Sequence, residues 1–232
     1  MTRRIRFVLP YTLLASFALS GAATAQSPGG TPGLTSTTVM SGRELTWDMA
    51  FLPDGTMFFT EKCGGLSVRL PSGKINALLG IKDSKNYPET ASDLFCSGQA
   101  GMSGVAIDPD FASNRFIYVS SASNITAPGT NRVLRLVVSP DLTKVSNRQD
   151  IVTDLAYKPA PTNHPFGDAG AHNGGRLRFG PADGFLYVTT GDTHNGEVPQ
   201  SPTRMGGKVL RIDRDGKAAP GNNAPQGFDA RV

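Results

Sequence analysis

The sequence predicts an all-β fold built from repeated small antiparallel sheets, the blades of a β-propeller. Three observations predict it. A unit of apolar strand, tight turn and aromatic-rich strand recurs along the chain. The composition is rich in turn formers, with 27 Gly and 17 Pro among 232 residues. No stretch keeps a sustained 3.6-residue apolar period, so helices should be few.

At the N-terminus, Arg3, Arg4 and Arg6 precede an uncharged apolar run from Phe7 to Ala22, and Ala23-Thr24-Ala25 then sets small residues where a signal peptidase reads. Residues 1–25 therefore read as a secretory leader, with Gln26 as the new N-terminus and the periplasm or the exterior as destination. A retained membrane anchor is the alternative, but the run is short for a span and Pro10 interrupts it. The residues after the Arg3-Arg4 pair fit twin-arginine export poorly. The leader's arginines supply most of the formal net charge of +4. The basic balance thus describes the leader, and nucleic acid is not an implied partner. No later segment is apolar enough to span a membrane. Residues 26–41 are Gly, Pro, Ser and Thr with few apolar anchors, and read as a flexible arm.

From residue 42 onward the repeat begins. Its first copy is Trp47-Asp48-Met49-Ala50-Phe51, the turn Pro53-Asp54-Gly55, and Met57 to Thr60. The second is Gly104 to Ile107, Asp108-Pro109-Asp110, and Phe116 to Ser120. The third is Arg176 to Phe179, Pro181-Ala182-Asp183-Gly184, and Phe185 to Thr190. Proline presets φ for a turn, while Asp and Gly supply a turn hydrogen bond or a positive φ. A further strand comes after each pair, at Leu66–Leu70, Val133–Val138 and Lys208–Asp213. The spacing of roughly 55–70 residues lies in the range of propeller blades with loop insertions. A blade buries both faces only between neighbours in a closed ring. About three blades are visible, and the chain stops at Arg231-Val232 just after a loop, so an N-terminal part of a longer propeller is expected, aggregation-prone or loosely packed because such a part leaves blade edges and apolar faces exposed. An open three-sheet array, complete as it stands, is the alternative and would leave edges unpaired.

Cys63 and Cys96 form an even count in a chain read as exported, which favours a disulfide. Two separate buried thiols are the alternative. Asn124-Ile125-Thr126 is a glycosylation sequon only in a eukaryotic secretory pathway.

The densest chemical cluster is Ala169-Gly170-Ala171-His172-Asn173-Gly174-Gly175-Arg176-Leu177. A histidine just before a strand sits on a loop at the mouth of a blade, and flanking glycines let backbone approach a ligand. Such a histidine can serve as a general base. Thr190-Gly191-Asp192 ends the next strand, and antiparallel return brings Asp192 back toward His172, where a carboxylate can orient the imidazole. An ordinary polar loop pair is the plain alternative. Gln99, in the loop Cys96 to Gly104, projects at the same mouth by the same geometry, and its amide suits sugar hydroxyls. A loop-capping amide is the alternative there. His164 and His194 lie in polar loops and read as solvated.

Gly98 to Met102 with Asp108 to Phe116 resembles the second blade of the glucose/sorbosone dehydrogenase family, the soluble quinoprotein sugar dehydrogenases that use pyrroloquinoline quinone. Trp47 to Glu61 resembles the family's first blade, His172 to Leu177 its catalytic-histidine segment, and Gly206 to Ile212 the strand after it. The resemblance implies a six-bladed propeller with the quinone at the mouth of its channel. It implies that His172 takes the proton of the sugar hydroxyl, that Asp192 supports it and that Gln99 touches substrate. It implies calcium beside the quinone, and a quinone or cytochrome as external electron acceptor. Ala171 departs from the acidic residue that glucose-specific members carry there, which points to broader or different substrates. The residues that hold quinone and calcium are expected beyond Val232, so this chain alone is expected to be inactive. A propeller lactonase, whose metal site would have to draw on Asp192 and Asn173, and a non-catalytic binding module are the competing classes.

Overall fold

The computed structural model describes residues 33–158 and 169–232. The leader, the first part of the arm and His164 lie outside them. The chain divides into two units after Val39. In the first unit, residues 33–39 form no helix or strand. Every strand among the described residues lies in the second, Met40–Val232.

The regular structure of that unit is almost entirely strand, in three separate sheets. The first holds β1 (Thr46–Phe51), β2 (Met57–Glu61), β3 (Gly65–Arg69), β4 (Ile75–Ile81) and the short β5 (Thr90–Ala91), in sequence order. The second holds β6 (Met102–Ile107), β7 (Phe116–Ser123), β8 (Thr130–Val138) and β9 (Val145–Leu155), with the single helical turn α1 (Phe111–Asn114) between β6 and β7. The third holds β10 (Gly174–Phe179), β11 (Leu186–Thr190) and β12 (Val209–Ile212). All pairings are antiparallel except β4 with β5. These are three propeller blades, with the first strands β1, β6 and β10 innermost and β6 packed between the other two.

The turns work as their residues dictate. In the first, Gly55 takes φ 87° and the Asp54 carboxylate accepts from the Thr56 N–H at 2.9 Å. In the third, Asp183 accepts from the Phe185 N–H at 3.1 Å. The second is longer than a tight turn. Asp108 accepts from the Asp110 N–H at 2.9 Å, and the chain then makes α1 before Arg115 leaves it at φ 60°.

Two apolar layers lie between the blades. Phe58, Leu66, Val68 and Ile81 of the first blade interdigitate with Val105, Ile117, Val119 and Leu134 of the second. Tyr118, Val133 and Val152 of the second meet Leu177, Val188 and Leu210 of the third. The period of two in a strand explains how β7 serves both layers: Ile117 and Val119 face one way and Tyr118 the other. Met49 and Phe51 alternate with Asp48 and Ala50 and remain 50% and 59% exposed.

Asp48 ties all three blades together. Its buried carboxylate accepts from the Val105 N–H of β6 at 3.1 Å and, as a two-armed pair at 2.8 and 2.9 Å, from Arg178 of β10. Arg176 of β10 also donates to it while lying 4.5 Å from the Trp47 ring.

The expected bridge is present: Cys63 and Cys96 are bonded, with Cα atoms 5.1 Å apart and a sequence separation of 33. It joins the β2–β3 turn of the first blade to the loop entering the second. Closing that loop should stabilise the fold by roughly 3–4 kcal/mol. The double variant Cys63→Ser/Cys96→Ser should lose that amount in urea denaturation. An unchanged midpoint and slope would show that the loop is held by its other contacts alone.

Candidate active site

The site forms where β10 begins and β11 ends. Gly174 of β10 pairs with Thr190 of β11, and a bulge lies between Gly174 and Leu177. His172 stands two residues before that pair and Asp192 two residues after it, so the hairpin register sets them face to face. Their side chains meet with His172 Nδ1 2.7 Å from Asp192 Oδ1. Half of the His172 side chain is exposed, leaving it open to a ligand.

The Asp192 carboxyl sits below its ordinary value of 3.8, chiefly through the hydrogen bond from His172, which with a further bond from the His194 N–H outweighs the penalty of burial. It is ionised at neutral pH and can only accept. Nδ1 therefore carries the proton, and in the neutral ring Nε2 presents the free lone pair.

The backbone is bent to make this contact. His172, Thr193 and His194 adopt φ of 54°, 56° and 57°. Left-handed conformation costs a non-glycine residue roughly 1–2 kcal/mol, and such positions persist where their surroundings over-determine them. Gly191 is one such constraint: a Cβ there would lie 1.6 Å from the His172 carbonyl oxygen. Gly191→Ala should push the two chain segments apart and cost about 1–3 kcal/mol, as overpacking does. The readout is the downfield imidazole Nδ1 proton of His172 in NMR spectra, which should vanish in the variant. Its retention would show that the segments shift without opening the pair.

An open depression of about 500 Å³ adjoins the pair, walled by His172, Thr190, Asp192, Pro199, Lys208 and Val209. His194 differs from its reading as a solvated loop residue. Its ring stacks on that of His172 with centroids 3.6 Å apart and planes at 25°. The reason is the turn at Asp192, whose carboxylate accepts from the His194 N–H at 3.0 Å and folds the loop back over the histidine. No spacing rule marks such a stack.

Gln99 is exposed and is not among the residues lining the depression. Its loop is nonetheless docked on the histidine segment: the Gln99 N–H donates to the Ala169 carbonyl at 2.9 Å. Gly170 leaves no room for a Cβ against Ala100, at 2.3 Å. Lys62 Nζ donates to the Gly98 carbonyl at 2.6 Å, and the disulfide holds the same loop from Cys96. Asn173 turns toward the second blade, where its Oδ1 accepts from Asn131 at 2.9 Å. Among the described residues no group of three His, Cys, Asp or Glu is arranged to hold a metal ion. No helix among them is long and apolar enough to cross a membrane.

Residues 43–231 match the family model for glucose/sorbosone dehydrogenase. The chain belongs to that family. A relative from Synechocystis, an uncharacterized protein, is 31% identical over 204 residues, which is 83% of this chain and 46% of that protein. Quinoprotein glucose dehydrogenase B of Acinetobacter calcoaceticus is 27% identical, over 78% of this chain and 39% of that protein. Among solved structures, the pyrroloquinoline-quinone-bound aldose sugar dehydrogenase of Streptomyces coelicolor superposes with a TM-score of 0.66 at 26% identity, over 82% of this chain and 50% of that one. The chain thus spans less than half the length of these curated relatives.

Proposed function

We propose that this chain carries the proton-accepting part of a quinone-dependent sugar or alcohol dehydrogenase. The observation that carries the reading is the His172–Asp192 contact of 2.7 Å at the head of an innermost strand, beside an open depression. Membership of a sugar dehydrogenase family supports it.

Pyrroloquinoline quinone, when bound, supplies the hydride acceptor. The residues present fit only part of such a site. Among the described residues Lys208 is the one lysine or arginine lining the depression, and its ammonium donates to three loop carbonyls rather than toward a ligand. The groups that hold a tricarboxylate quinone, and calcium beside it, are expected beyond Val232 by family resemblance.

The proton chemistry falls to this chain's residues. His172 Nε2 takes the proton of the substrate hydroxyl while hydride leaves the adjacent carbon. Asp192 fixes the Nδ1–H tautomer and stabilises the imidazolium that forms. The docked loop presents the Gln99 amide to the sugar hydroxyls. The protein works outside the cytoplasm after removal of the leader and passes electrons to an external quinone or cytochrome.

The test is reduction of an artificial acceptor dye by aldoses and simple alcohols, with and without pyrroloquinoline quinone and calcium. The 232-residue chain should be inactive, and a version extended by the remaining blades should be active only with the cofactor. Cofactor-dependent turnover by the short chain would show that the quinone is held by residues already present. A cofactor-loaded extended version inert toward every sugar and alcohol would overturn the reading.

A further inference from the structure

Lys208 immediately precedes β12 and is 8% exposed. Its ammonium donates to the carbonyls of Val198 at 3.2 Å, Pro199 at 3.3 Å and Gly206 at 3.2 Å. These three acceptors match its three donors. Among the described residues it makes no ion pair with a carboxylate. The ring of Phe228 lies 5.7 Å away. Burial, with a smaller contribution from Arg204, holds its pKa below the ordinary value of 10.5. A charge kept inside without a counter-charge calls for a reason beyond solubility.

The backbone supplies it. The Lys208 N–H donates to Thr190 Oγ1 at 2.9 Å, and its carbonyl accepts from the Thr190 N–H at 2.9 Å. Thr190 is two residues from Asp192. The Gly207 N–H donates to the Gly191 carbonyl at 2.9 Å and closes the loop that runs between them. That loop contains Pro199 and Pro202, which lack N–H groups. Of the three carbonyls, that of Val198 also accepts from the Ser201 N–H at 3.2 Å, while among the described residues no backbone N–H donates to those of Pro199 and Gly206. It also carries His194, stacked on His172, and Pro199, a wall of the depression. One side chain therefore satisfies the loop's middle and its far end, while its backbone grips the strand that delivers Asp192.

We propose that Lys208 is a positioning residue: its buried ammonium serves as an internal cation that folds the loop between Asp192 and Gly207 over the site and so holds the His172–Asp192 pair and the depression wall. The role rests on reading that pair as the active site, while its test asks nothing of sugar oxidation, so either can fail alone.

The experiment compares wild type, Lys208→Met and Lys208→Arg by amide hydrogen exchange and by the downfield Nδ1 proton of His172. In Lys208→Met, amides 193–200 should exchange about 10²-fold faster or more, as losing several hydrogen bonds to a charged group implies, while β6 to β8 keep their protection. The His172 proton should broaden or disappear. Lys208→Arg, which keeps the charge and the donors, should retain the proton and most of the protection. Unchanged loop exchange and an unchanged His172 proton in Lys208→Met would overturn the proposal. So would uniform loss of protection over the whole third blade, which would make Lys208 a residue of the fold rather than of the site. A wild-type measurement needs no variant. The Lys208 ammonium should give a slowly exchanging ¹⁵N-detected signal with contacts to residues 198, 199 and 206. Exchange as fast as that of surface lysines would equally overturn it.

Discussion

Asp48→Ala should destabilise the protein by about 3 kcal/mol, among the largest effects of any single polar substitution in the fold. The Asp48 side chain is 2% exposed. Its removal leaves the buried Val105 N–H without an acceptor and takes the shared anion from Arg176 and Arg178. Both arginines keep partial access to water, at 44% and 52% exposure, and that access keeps the loss near the lower end for a broken buried pair. Because the carboxylate joins the innermost strands of all three blades, the loss should appear as one cooperative shift in the urea midpoint. A shift below about 1 kcal/mol would show that the apolar layers alone fix the blades.

The same group sets a pH dependence. Burial by itself would raise the Asp48 carboxyl, but the bonds from Arg178, Val105 and Met49 outweigh it and hold the pKa below 3.8. The stability it contributes is therefore fully present above the unfolded value and is lost as the pH falls through the folded one. Asp108 is depressed in the same direction, against burial, by Arg214, Asn114, the Asp110 N–H and Tyr118. Acid unfolding should steepen below about pH 4, and Asp48→Asn should flatten that decline.

Much of this fold could be read from the chain because turn chemistry and strand alternation are local. Each Pro/Asp/Gly cluster marked a connection, and each aromatic run marked a second strand. Outer strands were harder. β9 reads Val-Ser-Asn-Arg-Gln-Asp-Ile-Val-Thr-Asp-Leu, a mostly polar outer strand whose extended state comes from pairing with β8. β4 carries a real apolar run, but nothing within it separates strand from loop until β3 lies beside it. The His172–Asp192 contact was legible because a hairpin register fixes it. The Asp48 node was not, since its partners lie 57, 128 and 130 residues away. Lys208 was equally silent, because a lysine at the start of a strand reads as a solvated charge until the loop carbonyls that surround it are placed.

His172→Ala should lower turnover by about 10²-fold or more in the extended, cofactor-loaded protein, the usual scale for losing a general base. In the proposed reaction Nε2 accepts the proton, and alanine would leave the substrate hydroxyl with water alone. Asp192→Asn should also lose activity, since a neutral amide no longer stabilises the imidazolium as a carboxylate does. Quinone affinity should change far less in both variants, because its holding groups are expected elsewhere. That separation distinguishes a lost base from a damaged site.

The proposed role of His172 and Asp192 is to form the base of a sugar-oxidising site. The most direct measurement is a side-by-side dye-reduction assay of wild type and His172→Ala at equal cofactor loading, with aldose in excess. A fall of about 10²-fold or more at unchanged loading is the predicted result; equal rates would contradict the account and remove His172 from the reaction.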